Sequence, residues 1–457
     1  MEKTKGGASM NERSPDLIKG DLWRSMLVFS VPLIASNLLQ ALYNIVDMII
    51  VGRFAGSAGL SAVSVGGQVT MVALCIVMGI ANAASVLSSQ LVGAGRQGEI
   101  PRMDRTMELV FAAVALLLTC LAWIFTRPLL TALHTPPEAY SQAVSYLRIC
   151  MTGTVFVYLY NLMTGVLRGV GDSRTPLLLV AITSAVNLAL DLLLVGVFRL
   201  GAGGAAAATA FSQLLSCVLI FPVARRRHGF LRLSEKFSFD REKLALLVKI
   251  GLPQSVQFTL TELSFLLIAG IVNLFGVYAS AAAGAVARLG SFAVLASKAM
   301  MGGIITVTGQ NIGAGQPSRA LRGMGIGILY AVPISLAFYV LSLVKPEMML
   351  GLFTGEAPVI AEGAPYLKAV ALSFVLESVM FCMMGLLTGA GHTLVTLSCA
   401  MVSAFVVRYS LARLFGITLG MGFVGVGWAY PFAPAASLII CTAFILSGRW
   451  KHNRVRV

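Results

Sequence analysis

The 457-residue sequence predicts an all-α polytopic membrane protein, with twelve transmembrane helices in two pseudo-twofold-related six-helix lobes. Three observations predict this class. Only 12% of the residues are charged and 57% are hydrophobic, whereas a soluble domain carries about a quarter charged residues. Residues 54–95, 200–224, 263–287, 299–318, 323–344, 378–407 and 414–448 contain no Asp, Glu, Lys or Arg. The chain also repeats itself at an offset of 220 residues. So much apolar surface requires lipid as its solvent, where only helices and closed barrels satisfy their backbone groups. The uncharged runs lack the alternation of ~10-residue barrel strands.

A spanning helix needs roughly 20 mostly apolar residues, so the longer uncharged runs hold two helices and a turn. Gly, Pro and charge clusters divide the chain into spans near 26–52, 60–88, 107–126, 140–166, 176–198, 203–223, 244–274, 280–309, 324–344, 364–387, 394–415 and 424–447. Before them, Met1–Asp21 is polar and reads as a cytoplasmic tail rather than a signal peptide. The basic residues set the orientation. With the N-terminus inside, the inside segments hold 24 Lys/Arg and the outside segments seven, and Arg148, Arg288 and Lys298 fall within spans. Both termini are therefore expected in the cytoplasm. The net charge of +15 also raises the possibility of a nucleic-acid partner. The distribution argues against one, because the charge lies in short loops beside apolar helices.

Four anchors carry the repeat. Ser89-Gln90-Leu91-Val92-Gly93-Ala94-Gly95 resembles Gly309-Gln310-Asn311-Ile312-Gly313-Ala314-Gly315, Tyr146-Leu147-Arg148 returns as Tyr366-Leu367-Lys368, and Leu167-Arg168-Gly169-Val170-Gly171 returns as Leu387-Thr388-Gly389-Ala390-Gly391. Pro32 returns as Pro253. Six spans in each half give the halves the same orientation, related by an axis along the membrane normal, an arrangement typical of transporters. The expected organisation is a tail over 1–25, a first lobe over 26–224, a basic cytoplasmic linker over 225–243, a second lobe over 244–447 and a basic tail over 448–457.

Two strings imitate unrelated chemistry. Gly93-Ala94-Gly95-Arg96-Gln97-Gly98 matches GxGxxG but lacks the preceding strand of a dinucleotide site; a tight turn with crowded backbones explains its glycines. Gly169-Val170-Gly171-Asp172 matches the GxGD of intramembrane aspartyl proteases, yet Asp172 stands between Arg168 and Arg174 in a loop and is expected to pair there. The seven cysteines all fall in apolar spans, with no CxxC pair, and read as packing. His134, His228, His392 and His452 are too scattered for a metal site. No Walker A string is present, so the energy is not expected to come from ATP.

An ionisable side chain in a span is costly and marks a functional hypothesis. The candidates are Asp47, Arg148, Asp191, Glu262, Arg288, Lys298, Glu377 and Arg408. At 1.5 Å per residue, Asp47 lies ~30 Å along its helix from the inside, Asp191 ~22 Å along its own, and Thr209 ~9 Å in from the outside. All three fall in the outer half of the first lobe, with Asn187 one helical turn from Asp191 on the same face. Two carboxyls, an amide and a hydroxyl at one depth can bind a cation or share a proton. The competing reading makes Asp47 a helix-end residue in water and Asp191 a hydrogen-bonded structural residue. The second lobe lacks the duplicate acid, because Leu411 stands 220 residues after Asp191. Glu262 and Glu377 lie at middle depth with Arg288 and Lys298 as partners, either as a charge site or as ion pairs that hold helices together.

Taken together, Pro32, Asp47-Met48-Ile49-Ile50-Val51-Gly52, the two Gln-containing glycine strings, Leu167–Asp172 and Gly251-Leu252-Pro253 resemble the MATE (multidrug and toxic compound extrusion) family. The resemblance covers nearly the whole chain, and is to the DinF-like branch more than the NorM-like one. It implies secondary active efflux of small organic, often cationic, molecules across a bacterial cytoplasmic membrane. The driving force would be antiport of H⁺ or Na⁺, with no cofactor and no resident metal expected. It places the coupling site on Asp47, Asn187, Asp191 and Thr209, and a protonation-dependent bend on Pro32. Glu262 is displaced by about one residue from the NorM-like pattern, a turn of about 100° on a helix, which sets that site apart. A monomer in the lipid bilayer is expected. The alternative in transport is a flippase for lipids or lipid-linked saccharides, with a cationic cavity around Arg288, Lys298 and Arg408. A membrane enzyme or receptor is disfavoured, for want of paired catalytic acids, metal ligands or a sensor domain.

Overall fold

In the computed structural model, residues 16–133, 135–229 and 239–451 are described. His134, His452, most of the two tails and part of the basic linker lie outside them. The first helical stretch, Leu22–Gly93, is interrupted at Gly56, whose φ of +68° only glycine adopts readily. It therefore forms two spans, α1 (22–55) and α2 (57–93). There follow α3 (Ile100–Ala132), α4 (Pro137–Gly169), α5 (Arg174–Val197) and α6 (Gly201–Arg227). The second half holds α7 (Arg241–Asn273), α8 (Val277–Ala293 and Leu295–Gly313, bent by 41°), α9 (Pro317–Val344), α10 (Ala357–Gly389), α11 (Thr393–Thr418) and α12 (Gly422–Leu446). A short helix, Pro346–Gly351, joins α9 to α10. Among the described residues these are the twelve spans expected, six in each half.

Local chemistry places the helix ends. Asp21 caps α1, its carboxylate accepting from the N–H groups of Trp23 and Arg24 at 3.3 Å each. Asp240 caps α7 by accepting from the Lys243 N–H at 3.0 Å. Helices α3, α4, α9 and α10 carry Pro in the first turn, where its missing N–H has no partner to lose. Helix α5 passes into π-helical turns at Leu192–Val197, directly after Asp191, and its counterpart α11 does so at Val402–Tyr409 and Leu414–Thr418.

The repeat is also visible in contacts between the halves. Gln90 Nε2 donates to the Gly389 carbonyl at 3.0 Å, and Gln310 Nε2 donates to the Gly169 carbonyl at 3.0 Å. A Cβ on Gly93 would sit 2.0 Å from the Gln310 carbonyl oxygen, and one on Gly313 would sit 2.3 Å from that of Gln90. The glycine string that imitates a nucleotide loop is thus the place where two helix ends cross.

The hydrophobic packing differs between the two ends of the bundle. At the end that carries Leu17 and Trp450, here the basic end, one core draws on both lobes; it includes Met26, Leu87 and Met107 with Leu247, Ile304 and Leu386. At the opposite end there are two separate cores. One contains Val51, Leu130, Leu147 and Val195 of the first lobe, the other Val272, Val286, Leu367 and Val426 of the second. The Val277–Ala293 half of α8 packs on second-lobe helices, whereas its Leu295–Gly313 half packs both on α9 and α10 of its own lobe and on the α1–α2 stretch. The lobes are therefore joined at the basic end and divided by a cleft at the other.

Candidate functional site

Asp47 projects from α1 in the half of the first lobe that borders the cleft, and Asp191 from the last α-helical turn of α5. Their carboxyl groups lie within hydrogen-bonding reach of each other. Asp191 is 1% exposed and Asp47 half-buried. One oxygen of each, Oδ1, is buried without a hydrogen-bond partner. Two carboxylates this close repel, and a shared proton or a bound cation relieves the repulsion. Asn187, one turn before Asp191, completes the arrangement. With its amide turned to satisfy both neighbours, it donates to Asp191 Oδ2 at 3.1 Å and accepts from the Thr209 N–H of α6 at 3.3 Å. The structure thus brings together Asp47, Asn187, Asp191 and Thr209.

Three further side chains belong to this neighbourhood. Tyr43 lies one turn before Asp47 and within electrostatic reach of both acids, while Tyr146 and Cys150 of α4 lie within reach of Asp47. Only Tyr43 left a usable trace in the sequence, its spacing of four residues from Asp47. A small cavity of about 40 Å³ borders the cluster, lined by Gln40, Tyr43, Thr183, Asn187, Thr209 and Ser212 among others. Its polar lining and size suit water.

Pro32 is buried in α1, ~22 Å along the helix from Asp47. The backbone stays helical through it, although proline supplies no N–H to the preceding turn. Ser36 Oγ donates to the Pro32 carbonyl at 2.9 Å. Around Pro32, α1 packs on the second lobe: a Cβ on Gly303 would meet Ser30 Oγ at 2.6 Å, and one on Gly302 would meet Leu33 at 3.8 Å. One helix therefore touches the other lobe near Pro32 and carries Asp47 at its far end.

In the second lobe the four expected residues do not form one site. Glu377 of α10 lies within electrostatic reach of Lys298 and Arg408. Glu262 instead lies near Cys75 of the first lobe, and Arg288 is exposed on α8. Among the described residues no ion pair within 4 Å joins any of the four. Arg408, one of the charged residues expected within a span, is buried in α11. Its guanidinium sits 4.5 Å from the Phe265 ring centre and 5.7 Å from that of Tyr430, and its Nε and Nη1 have no hydrogen-bond partner. Lys298 stands 5.8 Å from the Phe381 ring, and Arg148 of the first lobe 5.1 Å from that of Trp123.

Asp172 of the GxGD string is structural. It accepts from the N–H groups of Arg174 and Thr175 at 3.1 and 2.9 Å and from Thr175 Oγ1 at 2.5 Å. Its side-chain partner across the loop is His228, with Nε2 at 3.1 Å from Oδ2, not the expected Arg168 or Arg174. Burial raises its pKa, but the bonds from His228 and Thr175 outweigh that and lower it to about 2. Among the described residues no group of three or more His, Cys, Asp or Glu gathers as a metal site.

Comparison with known proteins agrees with this architecture. The MatE family model matches residues 32–193 and 253–414, one match in each lobe. The chain is 28% identical over 447 residues to the probable multidrug resistance protein YpnP of Bacillus subtilis, covering 96% of this chain and 98% of that one. It is 24% identical to the multidrug export protein MepA of Staphylococcus aureus, covering 92% and 94%. A solved multidrug resistance MATE family transporter of the MOP superfamily, in its outward-facing conformation, superposes with a TM-score of 0.87 at 20% identity, covering 94% of this chain and 97% of that one. With both halves matched by the family model, the chain belongs to the MatE family, a family of membrane transporters and not of enzymes.

Proposed function

We propose that this protein exports small organic cations across a bacterial cytoplasmic membrane by antiport with H⁺ or Na⁺. The multidrug names of its relatives support the substrate class. The excess of Lys/Arg at the basic end supports a cytoplasmic location for that end and both termini, which makes the cleft outward-open. The observation that carries the coupling mechanism is the facing pair Asp47 and Asp191, each with an oxygen that lacks a partner.

In this reading a proton or Na⁺ arrives from the outer side and settles on the pair, with Asn187 and Thr209 fixing Asp191. Neutralising the two acids removes their repulsion and lets α1 change its packing. Because α1 also rests on Gly302 and Gly303 near Pro32, the change reaches the contact between the lobes. The ion and the substrate favour different lobe arrangements, and that difference in affinity is the coupling. Substrate passes between the lobes, past apolar and Met-rich faces that adapt to varied shapes. The chain works as a monomer. The test is efflux of a cationic dye from vesicles under an imposed pH gradient or an imposed Na⁺ gradient. Asp47→Asn and Asp191→Asn are each expected to abolish gradient-driven transport in a folded protein. Normal driven transport by the double variant would refute the proposal.

A further inference from the structure

A groove of about 430 Å³ runs along the seam between the lobes near the basic end, away from the acid pair. One wall comes from α2, α3 and α4, through Ile76, Ile80, Val110 and Phe111 among others; the other is α7 from Leu247 to Leu260. The volume is within the usual range for ligand pockets. The α7 wall is ~20 Å long at 1.5 Å per residue, about two-thirds of the ~30 Å hydrocarbon thickness of a bilayer. It opens sideways, where Val248, Leu252 and Val256 are exposed. Three of its lining residues carry hydroxyls, and each already donates to a backbone carbonyl: Ser255 to Ile76 at 2.7 Å, Thr259 to Ser255 at 2.9 Å, and Tyr158 to Ala73 at 2.8 Å. No charged residue lines it. Such a surface suits a hydrocarbon chain and gives an organic cation no counter-charge.

The mouth of the groove supplies a charge. Lys249 is exposed one turn before Leu252 and two turns before Val256 on the same helical stripe, and it makes no ion pair within 4 Å among the described residues. Two neighbouring cations are engaged: Arg102 faces Asp240 at 3.8 Å and Lys243 faces Glu99 at 3.4 Å. Basic positions between helices on the cytoplasmic side of a membrane protein recognise anionic headgroups. We propose that this seam binds an anionic phospholipid, with one acyl chain in the groove and its phosphate at Lys249. Both lobes wall the groove, so an occupying lipid spans the seam while the basic end is shut. Assigning the lipid to the cytoplasmic leaflet rests on the orientation given under Proposed function; the binding itself does not.

Native mass spectrometry of the full-length protein, titrated with phosphatidylglycerol and with phosphatidylethanolamine, tests the site. The wild type is expected to retain phosphatidylglycerol preferentially. Val256→Trp, which fills the groove from its lipid-exposed side, is expected to retain one lipid fewer. Lys249→Gln is expected to keep the lipid but lose about fivefold of the preference for phosphatidylglycerol. Leu252→Trp, further along the same exposed stripe, is the second groove-filling variant should Val256→Trp misfold. Equal lipid retention by the wild type and a folded groove-filling variant would overturn the proposal. So would an unchanged headgroup preference in Lys249→Gln, or displacement of the lipid by an organic-cation dye. Because no transport is measured, failure of the antiport reading would leave these outcomes interpretable.

Discussion

Asn187 gives Asp191 its hydrogen bond and ties it to α6 through the Thr209 N–H. A bond to a charged group contributes ~2 kcal/mol and favours the ionised acid, so Asn187→Ala is expected to change the apparent affinity for the coupling ion by about that amount, tightening it where the ion is H⁺. Ion titrations of efflux would measure it, and an unchanged affinity would remove Asn187 from the site. Asp172 supplies a contrasting prediction. Its folded pKa of about 2 lies below the ordinary 3.8, so its stabilisation is complete above about pH 4 and is lost as the pH falls toward 2. Asp172→Asn is expected to lower stability at pH 7 by on the order of 2 kcal/mol, with the gap to the wild type closing in acid. Thermal unfolding in detergent at pH 7 and pH 3 would show this, and transport by the folded variant should persist. At this scale the sequence was informative where depth alone decides, as for Asp47, Asn187, Asp191 and Thr209. It misjudged Asp172, because His228 lies 56 residues away and no local spacing announces it. Depth also grouped Arg288 with Glu377, yet depth says nothing about the direction a side chain takes around its helix.

Among the helices, α1 joins the acid pair to the other lobe. A proline in a helix interior costs about 3 kcal/mol relative to alanine, so Pro32→Ala should make α1 stiffer and the protein harder to melt. Slower gradient-driven efflux together with a higher melting temperature is the expected pairing; unchanged efflux would exclude a bend at Pro32 from the mechanism. At the basic end, Gly313→Val would drive a side chain into the Gln90 carbonyl, only 2.3 Å from the Cβ position. This variant is expected to separate the lobes there, seen as a longer distance between spin labels placed on the two lobes at that end. An unchanged distance would mean that the contact does not hold the end closed. The helices themselves were legible from uncharged runs and Lys/Arg asymmetry. The 41° bend of α8 and the π-helical turns of α5 and α11 were not, because they depend on packing between helices and not on local composition.

In the whole molecule, the repeat gives two similar lobes and the charges make them unlike. The first lobe holds two facing acids, whereas the second surrounds Glu377 with Lys298 and Arg408. That asymmetry was visible in the sequence as an acid at position 191 answered by Leu411. The cleft was not visible, since it is defined by which cores the two lobes share, and that appears only in three dimensions. The central claim is that the Asp47 and Asp191 pair couples ion influx to export. Its most direct measurement is dye efflux in vesicles, with the pH gradient and the Na⁺ gradient imposed separately on the wild type and on Asp47→Asn with Asp191→Asn. The account predicts that one gradient drives efflux in the wild type and neither does in the folded double variant. Undiminished gradient-driven efflux by that variant would contradict it.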